Sequence, residues 1–188
     1  MVRSPIKPIL LADFLALPET KPASEFVDGQ IIQKPMPQGQ HSTLQGALIT
    51  QINAVTQLQK IAWAFPELRC TFGGRSIVPD IAVFSWTNIP TLEDGTVANQ
   101  FSHPPDWTIE ILSPRQSSTR VTSNILHCLK FGTTLGWLID PAEKIVLVYQ
   151  PDQAPLALES GNQRLIVPAF ASQLRLTVTT LFEYLRVA

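Results

Sequence analysis

Two short apolar stretches, each with a single acid, constrain the fold of this chain more than any other feature. They cover residues 78–84 and 107–114 and are rich in β-branched and aromatic residues, which favour strands. Because successive side chains of a strand point to opposite faces, we predict that Asp80 and Glu110 emerge opposite their apolar neighbours. Those apolar neighbours are Ile81, Val83, Trp107, Ile109 and Ile111.

The pairing of the two acids has two chemical interpretations. Carboxylates on neighbouring strands can bind a hard divalent cation such as Mg²⁺, which prefers oxygen ligands and keeps several waters. The same pattern also fits solvated residues at strand ends, or one half of an ion pair. The spacing of Asp80 and Glu110 alone leaves both interpretations open.

The composition indicates a well-buried protein. The chain has 188 residues, enough for one domain with a substantial core, and we predict one domain over residues 1–188 with its core between residues 10 and 185. Hydrophobic residues make up 45% of the chain and charged residues 15%, which favours an oligomer interface, and we expect a homodimer. The net charge of -1 excludes a strongly basic nucleic-acid binder but allows a local basic groove.

Several functional classes are excluded by the absence of their motifs. No apolar run approaches the length of a membrane span, and residues 1–5 precede no signal-peptide core, so we expect a cytoplasmic protein without a membrane partner. Cys70 and Cys128 are too few for a disulfide framework and are predicted to be structural thiols. The histidines lack zinc-ligand spacing, and there is neither a phosphate-binding glycine loop nor a serine-nucleophile elbow.

The order of predicted elements indicates an α/β (α+β) fold with a mixed central sheet and helices on both sides. Asp28-Gly29 between two apolar runs predicts an N-terminal hairpin with Glu25 on its first strand. A long helix is predicted to open at His41, capped by Gln40 or Ser42, with a glutamine-rich outer face. The other predicted helices cover residues 10–17, 117–131 and the stretch around 181–185, and the other strands cover 61–65, 68–72, 76–84, 107–112, 136–140, 144–149, 156–158, 164–167 and 174–178.

The motifs, taken in order, resemble the Uma-two family of bacterial restriction-endonuclease-like proteins. The motifs are Glu25-Phe-Val-Asp-Gly-Gln, His41 at the head of a long helix, Pro79-Asp80, Glu110-Ile-Leu-Ser-Pro, and Trp137-Leu-Ile-Asp-Pro. The resemblance covers nearly the whole chain. It implies the PD-(D/E)xK nuclease fold, with a mixed sheet flanked by helices, and Mg²⁺- or Mn²⁺-dependent hydrolysis of nucleic acid, with DNA as the expected partner.

The resemblance also implies roles for individual residues. Asp80 and Glu110 would bind the metal, and the backbone carbonyl of Ile111 would complete its protein ligands. Glu25 would help to order the metal site or a water. His41 matches a recurrent family histidine, which either contacts the site or has an ordinary capping role. In such nucleases a lysine then stabilises the attacking hydroxide or the charge on the phosphate.

The chain departs from the family pattern at that lysine. Leu112 stands two residues after Glu110, and the family's alternative position on the following helix is Asn124. Arg120 lies one turn earlier on the same helix face and could supply the missing cation, since arginine binds phosphate well although it is a poor proton carrier. Three interpretations stay open: an active nuclease that uses Arg120, a catalytically impaired or inactive module that binds nucleic acid or protein, and a purely structural dimer subunit.

Overall fold

A computed structural model gives the fold of residues 9–159 and 161–187. The helices are α1 (Leu11–Leu15), α2 (Gly39–Thr56), α3 (Ser118–Lys130) and α4 (Val178–Glu183). The strands are β1 (Ser24–Val27), β2 (Gln30–Gln33), β3 (Ala62–Pro66), β4 (Cys70–Phe72), β5 (Arg75–Ile77), β6 (Ile81–Ser85), β7 (Trp107–Ile111), β8 (Leu135–Asp140), β9 (Ile145–Tyr149) and β10 (Leu156–Leu158). This arrangement confirms the predicted mixed α+β fold.

The larger sheet has six strands in the order β10-β9-β8-β7-β6-β3. Strands β7 and β8 are parallel, and each of the other neighbouring pairs is antiparallel. A parallel pair requires a crossover connection, and α3 provides it between β7 and β8. Helix α3 thus makes the one parallel pairing of this mixed sheet possible. The same helix carries Arg120 and Asn124.

A second sheet of four strands has the order β2-β1-β5-β4. The prediction of one continuous strand over residues 76–84 is therefore wrong, since β5 belongs to the small sheet and β6 to the large one. Pro79 lies between them, and proline cannot donate to a strand ladder. The chain crosses from one sheet to the other at residues 78–80, immediately before β6.

The hydrophobic core lies between α2 and one face of the large sheet. The buried stripe of α2 packs there, formed by Leu44, Leu48 and Ile52. Ile81 of β6 and Ile109 of β7 pair directly and belong to this core. Ala82 and Phe84 pack on the other face, against residues of the small sheet and α3. Asp80 and Glu110 are the residues next to the Ile81–Ile109 pair, one before Ile81 and one after Ile109.

The hairpin is confirmed, and several boundaries are corrected. Asp28 and Gly29 have φ of 51° and 81°, as a two-residue turn with both central residues left-handed requires. Helix α2 begins at Gly39 after Gln38, so neither Gln40 nor Ser42 caps it. The predicted strands over 164–167 and 174–178 are absent from the described residues, where an isolated bridge joins Arg164 to Thr177.

Two expectations concerned the location of the protein: one about a targeting segment and one about membrane-spanning segments. Residues 1–5, on which the targeting expectation depended, lie outside the described residues. Within residues 9–159 and 161–187, no helix is long and apolar enough to cross a membrane.

Candidate active site

Three acids are buried where the two sheets meet. Glu25 in β1 is 4% exposed, Asp80 just before β6 is 2% exposed, and Glu110 in β7 is 3% exposed. Buried carboxylates are costly unless a cation or hydrogen-bond donors compensate them. The partners of these three side chains therefore define the chemistry of the site.

Lys34 is the principal cation beside these acids, and the sequence analysis did not identify it. It directly follows β2, and its side chain is 12% exposed. Nζ donates hydrogen bonds of 2.6 Å to Oδ1 of Asp80 and 2.7 Å to the carbonyl oxygen of Val78. The same atom lies 3.7 Å from Oε2 of Glu110, so one ammonium faces both predicted metal ligands.

The hairpin register is the signal that could have identified Lys34. The turn at Asp28-Gly29 pairs Glu25 with Ile32, and the amide of Lys34 donates 2.9 Å to the carbonyl of Ala23. Directly opposed residues share a face of a sheet, and that face recurs at every second residue. Glu25 and Lys34 are therefore on the same face of the hairpin, which follows from the turn and the register alone.

The second oxygen of Asp80 has its own donors. Oδ2 accepts a 2.7 Å hydrogen bond from the backbone amide of Ile111 and lies 3.1 Å from Nε2 of His41. Gln45 on α2 donates 2.8 Å to the backbone carbonyl of Asp80. His41 thus contacts the site, and one residue of the glutamine-rich face of α2 supports the acid instead of only facing solvent.

Glu25 is held by a separate pair of donors. Oε1 accepts a 2.8 Å hydrogen bond from the amide of Val78, and Oε2 accepts one of 3.0 Å from Nδ2 of Asn124. Oδ1 of Asn124 is buried and has no hydrogen-bond partner within the described part of the chain. Asn124, at the position where the family resemblance implies a lysine, therefore provides a neutral donor to an acid.

Arg120 shares a cavity with Glu25 and Glu110. It is exposed on the first turn of α3 and lines a cavity of about 440 Å³ together with Glu25, Lys34, Glu110 and Asn124. Among residues 9–159 and 161–187, no salt bridge to Arg120 is formed. Its proposed role stays a prediction.

The pKa values of the two acids that face Lys34 shift in opposite directions. Burial opposes the charge of Lys34, but the carboxylates of Glu110, Asp80 and Glu25 outweigh it and raise the lysine pKa well above its ordinary value. Burial also opposes the charge of Asp80, yet Lys34 and His41 hold its pKa below the ordinary range. For Glu110, burial together with the charges of Asp80 and Glu25 prevails over Lys34 and raises its pKa.

These residues fit a divalent cation. No group of three His, Cys, Asp or Glu side chains within the described ranges is arranged around one metal position. Two carboxylates supplemented by backbone carbonyls and waters are nevertheless a donor set that Mg²⁺ accepts. The raised pKa of Glu110 reflects a buried carboxylate whose negative charge Lys34 does not fully compensate, and a divalent cation would compensate it.

Two cavities are lined by the acids of the site, and a third shares lining residues with them. Their volumes are about 430, 440 and 570 Å³, and Gln116 lines all three. Lys34 lines the first two, and His41 lines the first and third. Together they form an open cleft across the ends of β2, β7 and α2. The other basic residues that line this cleft are Lys21, Arg115 and Arg120.

Comparison with known proteins gives a consistent result. A family model, Uma2, described as "Putative restriction endonuclease", matches residues 11–179. A solved structure described as a "putative nuclease belonging to DUF820" from Anabaena variabilis ATCC 29413 is 57% identical, with a TM-score of 0.94. The match covers 95% of this chain and 100% of that one. The comparison with curated proteins gave no match.

Proposed function

The chain belongs to the Uma2 family ("Putative restriction endonuclease"), and from this premise we propose that it is a metal-dependent endonuclease that hydrolyses phosphodiester bonds in DNA. One observation carries the proposal: Asp80, immediately before β6, and Glu110, on the neighbouring strand β7, are both buried and face the same cation. An acid pair of this kind has no packing role in an apolar sheet. Its presence supports a catalytic use of the site.

The proposed metal is Mg²⁺ or Mn²⁺, bound by Asp80, Glu110 and the backbone carbonyl of Ile111. When bound, such an ion polarises a phosphoryl oxygen and lowers the pKa of a coordinated water. His41 and the amide of Ile111 fix the orientation of the Asp80 carboxylate. In the hydrolysis, the oxygen of one water bonds to phosphorus, one P–O ester bond breaks, and the leaving oxygen takes up a proton.

Glu25 acts as a positioning residue in this proposal. Its carboxylate accepts the amide of Val78, two residues before Asp80, and thereby fixes the segment that crosses between the sheets. It also adds negative charge near Glu110, since its charge contributes to the raised pKa of Glu110. A bound divalent cation would compensate this charge, which supports a role for Glu25 in metal affinity.

The cleft offers several cations that could contact a phosphate backbone. Lys21, Arg115 and Arg120 line it, although the chain as a whole has a net charge of -1. Six acids line the same cavities, so the proposed metal would have to compensate part of their charge before a nucleic acid binds. We include a homodimer in the proposal, because cutting both strands of a duplex in one encounter needs two such sites.

The alternative is a catalytically inactive module that binds nucleic acid or a protein partner. The observation in its favour is Asn124, which is neutral and already committed to Glu25. Leu112 is likewise unable to supply charge. Under this interpretation the cleft still binds a phosphate backbone but does not cleave it.

Plasmid nicking tests the proposal most directly. Wild type, Asp80→Ala and Asn124→Lys are compared in Mg²⁺, in Mn²⁺ and in EDTA, with Asp94→Ala, an exposed loop acid, as the matched control. We expect metal-dependent nicking by wild type and Asp94→Ala that disappears in Asp80→Ala. An inert wild type that retains DNA binding would favour the inactive module. Inert wild type with active Asn124→Lys would indicate an intact metal site that lacks one cation.

Calorimetry with Mn²⁺ separates metal binding from catalysis. We expect binding by wild type that is lost in Asp80→Ala and in Glu110→Ala. Unchanged Mn²⁺ affinity in both variants would exclude these carboxylates as ligands, whatever the nicking assay gives.

A further inference from the structure

We infer that Lys34 is the catalytic cation of this site, supplied by the N-terminal hairpin in place of a lysine on α3. The inference rests on the proposed nuclease function and identifies the residue that stabilises negative charge during the reaction. The ammonium of Lys34 lies 2.6 Å from Asp80 and 3.7 Å from Glu110. Within residues 9–159 and 161–187, these acids form no ion pair with another lysine or arginine.

The local charge balance favours a mobile role for Lys34. Without metal, three buried carboxylates surround one ammonium, and Lys34 serves as their counter-ion. A divalent cation at Asp80 and Glu110 would take over this compensation. The ammonium would then be free to leave Asp80 while remaining charged.

Two cavities beside Lys34 give its side chain room to move. The lysine side chain is a flexible four-carbon stem with a compact charge. Lys34 lines two cavities, one shared with His41 and Gln116 and the other shared with Arg120 and Asn124. A phosphate bound in either cavity beside the metal would be within the range of a small rotation of this side chain.

The other candidates for the cation are less well placed. Asn124 donates its amide hydrogen to Glu25 and carries no charge. Arg120 is exposed and forms no salt bridge among the described residues. Residues 34 and 124 line the same cavity, so a lysine at either position can place its ammonium in the same space.

The first test compares Lys34→Met, Lys34→Arg and Arg120→Met in steady-state nicking with saturating Mg²⁺. Removing a group that stabilises developing charge typically lowers kcat by about 100-fold or more, and we expect this for Lys34→Met with little change in KM. Lys34→Arg should retain a larger part of the activity because it keeps the charge. Arg120→Met should chiefly raise KM, as the loss of a phosphate contact would.

The second test moves the cation within the site. Adding Asn124→Lys to Lys34→Met should recover at least 10-fold of the lost kcat, because both positions face the same cavity. Mn²⁺ calorimetry provides the readout independent of activity. Lys34→Met should bind Mn²⁺ at least as tightly as wild type, since the ammonium no longer competes for Asp80. Thermal unfolding followed by circular dichroism shows whether each variant is folded before its rates are compared.

The outcomes separate this inference from the proposed function. Wild type and Lys34→Met that nick equally well would overturn the inference and leave the nuclease intact. Weaker Mn²⁺ binding by folded Lys34→Met, without recovery by Asn124→Lys, would assign Lys34 a purely structural role. A wild type and an Asn124→Lys variant that bind Mn²⁺ but never nick would overturn both proposals together.

Discussion

Asn124 on α3 donates a 3.0 Å hydrogen bond from its side-chain amide to the buried carboxylate of Glu25 on β1. The contact joins the crossover helix of the large sheet to the hairpin of the small sheet. Arg75 reinforces the junction, because it forms a two-point ion pair with Asp28 at the hairpin turn and lies near Ser123 of α3. The position that would carry a lysine in the family pattern is thus used to secure the hairpin that carries Lys34.

Asn124→Leu should destabilise the protein. The substitution leaves Oε2 of Glu25 buried without its donor, and a lost hydrogen bond to a charged group costs about 1.5–3 kcal/mol. Urea unfolding measures the loss. The effect should shrink in a Glu25→Gln background, where no buried charge remains, and Thr119→Ala on the exposed side of α3 serves as control. An Asn124→Leu variant as stable as wild type would show that Glu25 does not depend on this contact.

Glu110→Gln should make the metal-free protein more stable at neutral pH. The folded-state pKa of Glu110 is raised, chiefly by burial and then by Asp80 and Glu25, so its charged form is disfavoured in the fold. The protonated Glu110 side chain contributes fully to folding stability below its unfolded-state pKa of about 4.3. This contribution is lost as the pH rises through the folded-state pKa. The advantage of the variant should therefore vanish towards pH 4 and grow with increasing pH.

Urea unfolding in EDTA at a series of pH values measures this difference. The lowered pKa of Asp80 gives a stability contribution with the opposite pH dependence. Because wild type and variant both have this contribution, it largely cancels when their stabilities are compared. Exposed Glu143→Gln is the matched control and should give no trend. Excess Mn²⁺ should reverse the order, since ligand at about 100 times Kd stabilises the binding-competent wild type by about 2.7 kcal/mol. A pH-independent difference between the two proteins would contradict the prediction.

Gly136→Ala should destabilise the packing of α3 on β8. A Cβ atom at this position would clash with Cγ2 of Ile125, a stiff β-branched side chain with 0% exposure. Overpacking of this kind typically costs about 1–3 kcal/mol. In thermal unfolding, Ile125→Ala should remove the clash, so the double variant should lose less stability than the sum of the two single variants. Strict additivity would show that α3 moves away from the sheet at no cost.

Neither cysteine should react with Ellman's reagent in the native protein. Cys70 and Cys128 are free and fully buried, and burial raises the pKa of Cys70 to about 12 and that of Cys128 further still. The thiolate is the reactive form, and it is almost absent at pH 8 in such surroundings. In guanidinium chloride both thiols should react at once. Rapid labelling of one thiol in the native state would reveal local opening near β4 or α3.

The chain's apolar and turn patterns were sufficient to predict most of the fold. Alternation correctly predicted that Ile81 and Ile109 belong to the core, and Asp28-Gly29 correctly predicted the hairpin. The division into two sheets was missed, because Val78-Pro79-Asp80 lies within an otherwise continuous apolar run. A proline in a β-rich segment is compatible with an edge strand and also with a crossing between two sheets. Only the pairing of the strands in the folded protein distinguishes these two arrangements.

The acids of the site were more accessible to sequence reasoning than its cation. Asp80 and Glu110 are conspicuous because apolar strands surround them. Lys34 stands between Gln33 and Pro35 in a polar connection, where a lysine requires no explanation. Its importance comes from a contact with Asp80 across 46 residues, which depends on how the hairpin docks. The roles assigned to Arg120, Asn124 and Ile111 in catalysis or metal binding stay predictions.

The two sheets contribute different charges to the site. Asp80 directly precedes β6 and Glu110 lies in β7 of the large sheet, whereas Glu25 lies in the hairpin of the small sheet and Lys34 directly follows it. Both Glu25 and Lys34 also form hydrogen bonds with Val78, in the segment that crosses between the sheets. A slight rotation of one sheet against the other would alter the gap between ammonium and carboxylates without changing the spacing of the two carboxylates. The distance between the positive and negative charges of the site is therefore set by how the two sheets dock, whereas the spacing of Asp80 and Glu110 is set within the large sheet.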